Sequence, residues 1–134
     1  MPGIAILTSG YSWFAPYARG MLKSIRDKGR RCSLFYDPAR IGSDFELVFI
    51  LSYYRMVPQP LLEKHRFNIV VHASDLPGGR GWSPLTWQIL EGKMKIPLTL
   101  FKATAKMDDG DIYIKDHLTL RGDELIEEIR EKMA

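Results

Sequence analysis

His72 stands at the end of the apolar run Phe67-Asn68-Ile69-Val70-Val71 and just before Ala73-Ser74-Asp75-Leu76-Pro77-Gly78-Gly79-Arg80-Gly81. An imidazole has its ordinary pKa near neutrality, so it suits any reaction in which an attacking nucleophile must give up a proton and a leaving group must gain one. The glycines after it let backbone approach a ligand where bulkier residues would not. A lone histidine at a strand end is equally at home as a structural residue. Farther along, Asp108-Asp109-Gly110-Asp111 gathers carboxylates where the chain turns, which is also ordinary turn chemistry. Near the N-terminus, Ser9-Gly10-Tyr11-Ser12 follows an apolar run and precedes a helical pattern. The amides at such a helix start can receive an anion, such as the phosphate of a nucleotide-linked substrate, while Ser12 equally reads as a plain N-cap.

The elements that must position these residues follow from apolar periodicity. GIAILT (3–8) and ELVFIL (46–51) are short apolar runs that read as strands buried on both faces, and residues 32–36 and FNIVVHA (67–73) read as two further strands. Tyr17, Met21, Leu22 and Ile25 recur at helical spacing over 15–28, with Gly29 as the stop. Pro58 and Pro60 precede a short helical stretch at 61–64, and another helix is expected over 85–91. Ile96-Pro97-Leu98-Thr99-Leu100 opens a strand running to Thr104, and Ile112–Lys115 offers a short strand after it, giving a strand–loop–strand unit. The last helix, 123–133, places Leu125, Ile126 and Ile129 on one packing face. Strands alternating with helices predict an α/β fold, a Rossmann-like doubly wound, mostly parallel sheet flanked by helices. In such sheets ligands bind beyond the carboxyl ends of the strands, where His72 lies.

With 134 residues, 46% of them apolar and 26% charged, the chain matches one ordinary globular domain, and residues 1–134 are expected to form it. No apolar run approaches the ~20 residues that span a bilayer and no signal-like segment opens the chain, so no membrane partner and a cytoplasmic location are expected. The single cysteine, Cys32, has no Cys or His at metal-ligand spacing; it reads as structural and no metal is expected. The net charge of +3 comes from basic residues spread along the chain, with no aromatic-plus-basic motif, so no nucleic-acid partner is expected. Lys28, Arg30 and Arg31 read as a solvated helix end. Neither GxGxxG nor GxxxxGK[ST] is present. His65 and His117 lack motif support and are expected to face solvent. Trp82 and Trp87 border the loop after His72, and at least one of them is expected in the core.

The string His72-Ala73-Ser74-Asp75-Leu76-Pro77, followed by Arg80-Gly81, Ser83-Pro84, Trp87, Ile89 and Gly92, resembles the core signature of folate-dependent formyltransferases, Asn-x-His-x-Ser-Leu-Leu-Pro with a glycine-containing loop. Their second motif, Asp-x-Gly, is matched by Asp108-Asp109-Gly110 after the Ile96–Leu100 strand. The resemblance covers roughly residues 44–116. It implies transfer of a formyl group from 10-formyltetrahydrofolate, as cosubstrate, to a primary amine. His72 would act as general base and acid, with Asp108 fixing its tautomer. It implies cofactor contacts by Tyr53, Met56, Val57, Asp75, Leu76 and Thr104; acceptor contacts are expected from Arg80 and Gly81 and, from their place in the first βα turn, from Ser9, Gly10 and Tyr11. For Asp75, loop termination is the alternative; for Arg80, surface exposure.

The wording GWSPLTWQILEG is more similar to short sugar formyltransferase homologues, which makes an amino sugar carried on a nucleotide the preferred acceptor. Homodimerisation is the default for a domain of this size. One position departs from the pattern: Val70 stands where the family has asparagine, whose amide helps hold the developing oxyanion. Losing one such donor costs roughly 3–4 kcal/mol. Asn68 lies on the same strand face, but ~13 Å from His72 along the strand, so a backbone amide of the glycine-rich loop is the better substitute. Two other outcomes stay open: a folate- or nucleotide-binding module of impaired catalysis, and a hydrolase that releases formate from the same cosubstrate.

Overall fold

The computed structural model describes residues 2–76, 78, 84–106, 108 and 110–134. Its elements run β1 (Gly3–Leu7), α1 (Ala15–Asp27), β2 (Cys32–Phe35), β3 (Phe45–Ile50), α2 (Gln59–Leu62), β4 (Phe67–His72), α3 (Pro84–Leu90), β5 (Lys95–Lys102), β6 (Ile112–Thr119) and α4 (Ile126–Met133). The strands form one six-stranded sheet in the order β2-β1-β3-β4-β5-β6. β1 pairs in parallel with both β2 and β3, and β5 pairs antiparallel with β6, so the sheet is mixed within a Rossmann-like α/β fold. Two compact units divide the chain, Met1–Ile69 and Val70–Ala134.

In the first unit the apolar run of β1 is central and almost wholly buried, as a strand with neighbours on both sides must be. Ile6 and Cys32 pack with Phe14 and Ala18 of the α1 region, and Trp13, Tyr17, Met21, Leu22 and Ile25 close over them. The helical spacing read from the sequence is therefore the packing face. Gly29, at φ 76°, takes the left-handed conformation that ends the helix. Burial pushes the Cys32 thiol up, in keeping with a structural role. His65 corrects an expectation. It is buried rather than solvent-facing, with Nδ1 2.6 Å from the Phe45 carbonyl oxygen, because the turn after α2 lays it against the start of β3. Asn68 is turned to the same region, its Nδ2 donating to the Leu62 carbonyl at 2.8 Å.

In the second unit β5 and β6 pair from Lys95↔Thr119 to Phe101↔Ile112, with an irregularity between Leu100 and Phe101. β6 is twice the length that Ile112–Lys115 predicts, and β5 ends at Lys102 rather than Thr104. Ala73, Ile96, Leu120 and Ile129 form the core of this unit, packed by Leu85, Ile89, Leu98, Leu118 and Met133. The expected face of the last helix is only partly realised. Ile129 is buried, whereas Leu125 and Ile126 are 71% and 55% exposed, since the helix begins at Ile126 rather than at 123.

Glu124 is the reason for the late start. Its carboxylate accepts from the backbone amides of Arg121 (2.8 Å) and Gly122 (2.8 Å) and from Lys132 Nζ (2.6 Å). Lys132 foremost, then these amides, pulls its pKa from 4.5 down to about 2. A carboxylate depressed on folding contributes stability at pH values above its unfolded pKa, and that contribution is lost as pH falls toward the folded value. Urea unfolding of the wild type should therefore weaken between about pH 4.5 and pH 2. Glu124→Gln should be less stable at neutral pH and should show a flatter decline over that interval.

Candidate active site

β4 delivers His72 as its last residue, and the β5–β6 turn delivers Asp108. His72 Nε2 lies 3.4 Å from Asp108 Oδ2, with both side chains enclosed, 10% and 9% exposed. This is slightly beyond the ~2.7–3.2 Å of a well-formed hydrogen bond. The imidazole stands edge-on to the Phe101 ring, with centroids 6.4 Å apart at 86°. Asp108 has φ 53°, a left-handed conformation uncommon for residues other than glycine. Two positions on, a Cβ at Gly110 would fall 1.6 Å from the Lys102 carbonyl oxygen, and Lys102 N donates to the Asp111 carbonyl at 2.8 Å. Only glycine lets the turn press against β5 this closely, and that closeness sets where Asp108 stands.

The segment following His72 is tied down from three elements. Thr99 Oγ1 on β5 donates to the Ser74 carbonyl at 2.7 Å and accepts from the Leu76 amide at 3.4 Å. Gln88 on α3 donates from Nε2 to the Ala73 carbonyl. Lys115 Nζ on β6 pairs with Asp75 Oδ1 at 2.6 Å and donates to the Leu76 carbonyl at 3.0 Å. Asp75 is thus a surface tether and Leu76 is buried, while Thr104 Oγ1 closes a local turn with Lys106. Thr99, Gln88 and Lys115 had no place in the sequence reading. The one signal that could have found Thr99 is its polarity at an inward position of an apolar strand.

Arg80 and Gly81 lie outside the described residues, as do Pro77, Gly79, Trp82, Ser83 and Asp109. Trp87 is 64% exposed and belongs to no core; Trp82, the other tryptophan of that expectation, is among the undescribed residues. His117 is exposed, as its sequence context suggests.

In the first unit, the turn after β1 and the segment after β3 are joined. Ser9 Oγ accepts from the Tyr54 amide at 2.9 Å, the Ser9 amide meets the Ser52 carbonyl at 3.4 Å, and the Tyr11 and Tyr54 rings lie 5.3 Å apart. Ser52 is left-handed, at φ 52°. The residues expected at the acceptor from their place in the first βα turn (Ser9, Gly10, Tyr11) and those assigned by resemblance to the cofactor (Tyr53, Met56, Val57) therefore occupy adjoining segments. Tyr11 is 74% exposed, Met56 partly exposed and Val57 buried, and burial pushes the Tyr53 phenol up. Ser12 is not an N-cap. Its hydroxyl pairs with Thr8 Oγ1 at 3.2 Å, and Phe14 occupies the cap position without a side-chain bond, the Pro16 ring already supplying helical φ in the first turn.

Among the described residues no helix is long and apolar enough to cross a membrane. A family model described as formyl transferase matches residues 42–134. The methionyl-tRNA formyltransferase of Rickettsia typhi is 30% identical over 92 residues, 68% of this chain but 30% of that protein, so the chain spans less than a third of this relative's length. The structure of methionyl-tRNA formyltransferase from Clostridium thermocellum superposes with a TM-score of 0.73 at 26% identity, covering 90% of this chain and 54% of that one. HypX from Aquifex aeolicus in complex with tetrahydrofolic acid shares the fold, with a TM-score of 0.70 at 22% identity over 88% of this chain and 21% of that one. With both motifs inside the matched span and their histidine and aspartate brought together, the chain belongs to the formyl transferase family.

Proposed function

We propose that this chain, as a single catalytic domain, transfers a formyl group from 10-formyltetrahydrofolate to a primary amine, with His72 moving the proton and Asp108 orienting it. The observation that carries this reading is the enclosed His72–Asp108 pair at the carboxyl end of β4. The amine nitrogen attacks the formyl carbon, a C–N bond forms, and the carbonyl π pair moves onto oxygen. His72 takes the proton that the new ammonium sheds. Return of that proton to N10 of the folate as its bond to carbon breaks leaves a formamide and tetrahydrofolate. Asp108 favours the tautomer with Nε2 protonated and stabilises the charged ring.

By resemblance, Tyr53, Met56, Val57, Asp75, Leu76 and Thr104 are the proposed folate residues. The side chains of Asp75 and Thr104 already have partners, so backbone is the better donor there. The HypX structure with tetrahydrofolic acid supports the cosubstrate. For the acceptor, the exposed Tyr11 ring beside Ser9 and Gly10 suits a ring-bearing group, which supports an amino sugar carried on a nucleotide. A cytoplasmic homodimer goes with this reading.

Calorimetric titration with a stable 10-formyltetrahydrofolate analogue, then formyl-transfer assays on nucleotide amino sugars, tests it in wild type, His72→Ala and Val70→Asn. Binding with turnover that collapses in His72→Ala upholds the proposal. Binding without turnover, restored by Val70→Asn, identifies an impaired binding module instead, and formate release without an acceptor identifies a hydrolase. Absence of folate binding overturns the cosubstrate.

A further inference from the structure

Among the described residues, Ser74 Oγ is buried without a hydrogen-bond partner. Ser74 is 4% exposed, and its backbone is held, the carbonyl accepting from Thr99 Oγ1. A buried hydroxyl that makes no bond lowers stability, so its presence calls for a reason other than folding. Ser74 lies two residues past His72, at most about 7 Å along the chain between Cα atoms. That spacing places the hydroxyl in the segment that adjoins the imidazole.

Formyl transfer makes a specific demand at that place. As the amine adds, the formyl oxygen gains negative charge, and a donor fixed beforehand in a site of low dielectric lowers the barrier. Among the described residues, the other side chains of this segment and its supports are unsuited or engaged. Val70 has no donor, Thr99 Oγ1 gives its proton to the Ser74 carbonyl, Gln88 Nε2 to the Ala73 carbonyl, and Lys115 Nζ is held by Asp75 and Leu76. We propose that the Ser74 hydroxyl is the hydrogen-bond donor to the formyl oxygen as the tetrahedral adduct forms and collapses, the part a side chain at position 70 cannot play in this protein. The hydroxyl proton stays on Ser74 throughout. The proton released by the amine goes to His72 and then to N10 of the departing tetrahydrofolate, so the step balances without a further reactant.

This inference rests on the formyl-transfer reading, and the two separate cleanly in one set of variants of the full chain. Ser74→Ala should lower kcat about 10²- to 10³-fold. The KM for folate and acceptor should stay close to wild type, and the thermal midpoint should be unchanged or raised, because the variant removes an unsatisfied buried hydroxyl. Val70→Asn should recover part of the rate in the Ser74→Ala background, since it restores the side-chain donor that the resemblance places at position 70. Wild-type turnover that depends on His72 but survives Ser74→Ala overturns the Ser74 role and leaves the function standing. A fall in kcat matched by loss of thermal stability or of analogue binding makes Ser74 structural and also overturns it. A wild type without turnover removes both.

Discussion

His72→Ala should cut kcat for formyl transfer by about 10²- to 10⁴-fold, the range lost when a positioned general base is removed. The fold should survive, because the ring sits at the end of β4, whose backbone is held by its own ladder. Asp108→Asn should follow the same direction, since an amide keeps the shape of the carboxylate but neither stabilises the imidazolium nor favours the productive tautomer. The pair is coupled, so the double variant should lose little more than the worse single one. The check is steady-state kinetics on all three variants beside their thermal melts. A loss of less than tenfold in His72→Ala removes His72 from the chemistry and returns it to the structural role that a lone strand-end histidine also fits.

The second large effect is remote from any reacting atom. Gly110→Ala must push the β5–β6 turn off Lys102, because a methyl 1.6 Å from a carbonyl oxygen cannot be accommodated by a rotamer change. The bond from Lys102 N to the Asp111 carbonyl is the first to yield, and Asp108, already in a left-handed conformation, moves with the turn. Misplacement by about 1 Å is enough to cost on the order of 10²-fold in rate. The expected result is therefore a kcat loss approaching that of Asp108→Asn, with folding stability lower by about 1–3 kcal/mol. Kinetics together with urea unfolding checks it; wild-type kcat in a folded Gly110→Ala protein means the turn does not position the aspartate.

The parts of this fold that could be read in advance are those whose signal is local. The apolar runs of β1, β3 and β4 and the helical spacing of α1 predict their elements to within a residue or two at most boundaries, because burial on both faces or along one stripe leaves its mark in the residues themselves. β6 left no such mark. Nearly all its residues are exposed, so its length comes from pairing with β5, a non-local fact. His65 is buried by the carbonyl of Phe45, far away in sequence, and the outward turn of Leu125 and Ile126 is decided by where Glu124 gathers amides. The same division runs through the candidate site. His72 and Asp108 carry recognisable motifs, whereas Thr99, Gln88 and Lys115 act by holding backbone, a role that any residue of the right reach could fill and that no motif announces.

The β5–β6 hairpin contributes Asp108 from its turn, Thr99 from one strand and Lys115 from the other, and between them these reach both the imidazole and the segment after it. Sequence drift in the hairpin is therefore uneven in its consequences. The exposed outer positions Ile112, Tyr113 and Ile114 are open to exchange. A change at Thr99, Gly110 or Lys115 alters two things at once, the hairpin's own geometry and the floor on which His72 works. Homologous recombination that grafted this hairpin from a distant relative would have to bring the residues of the 73–76 segment along with it.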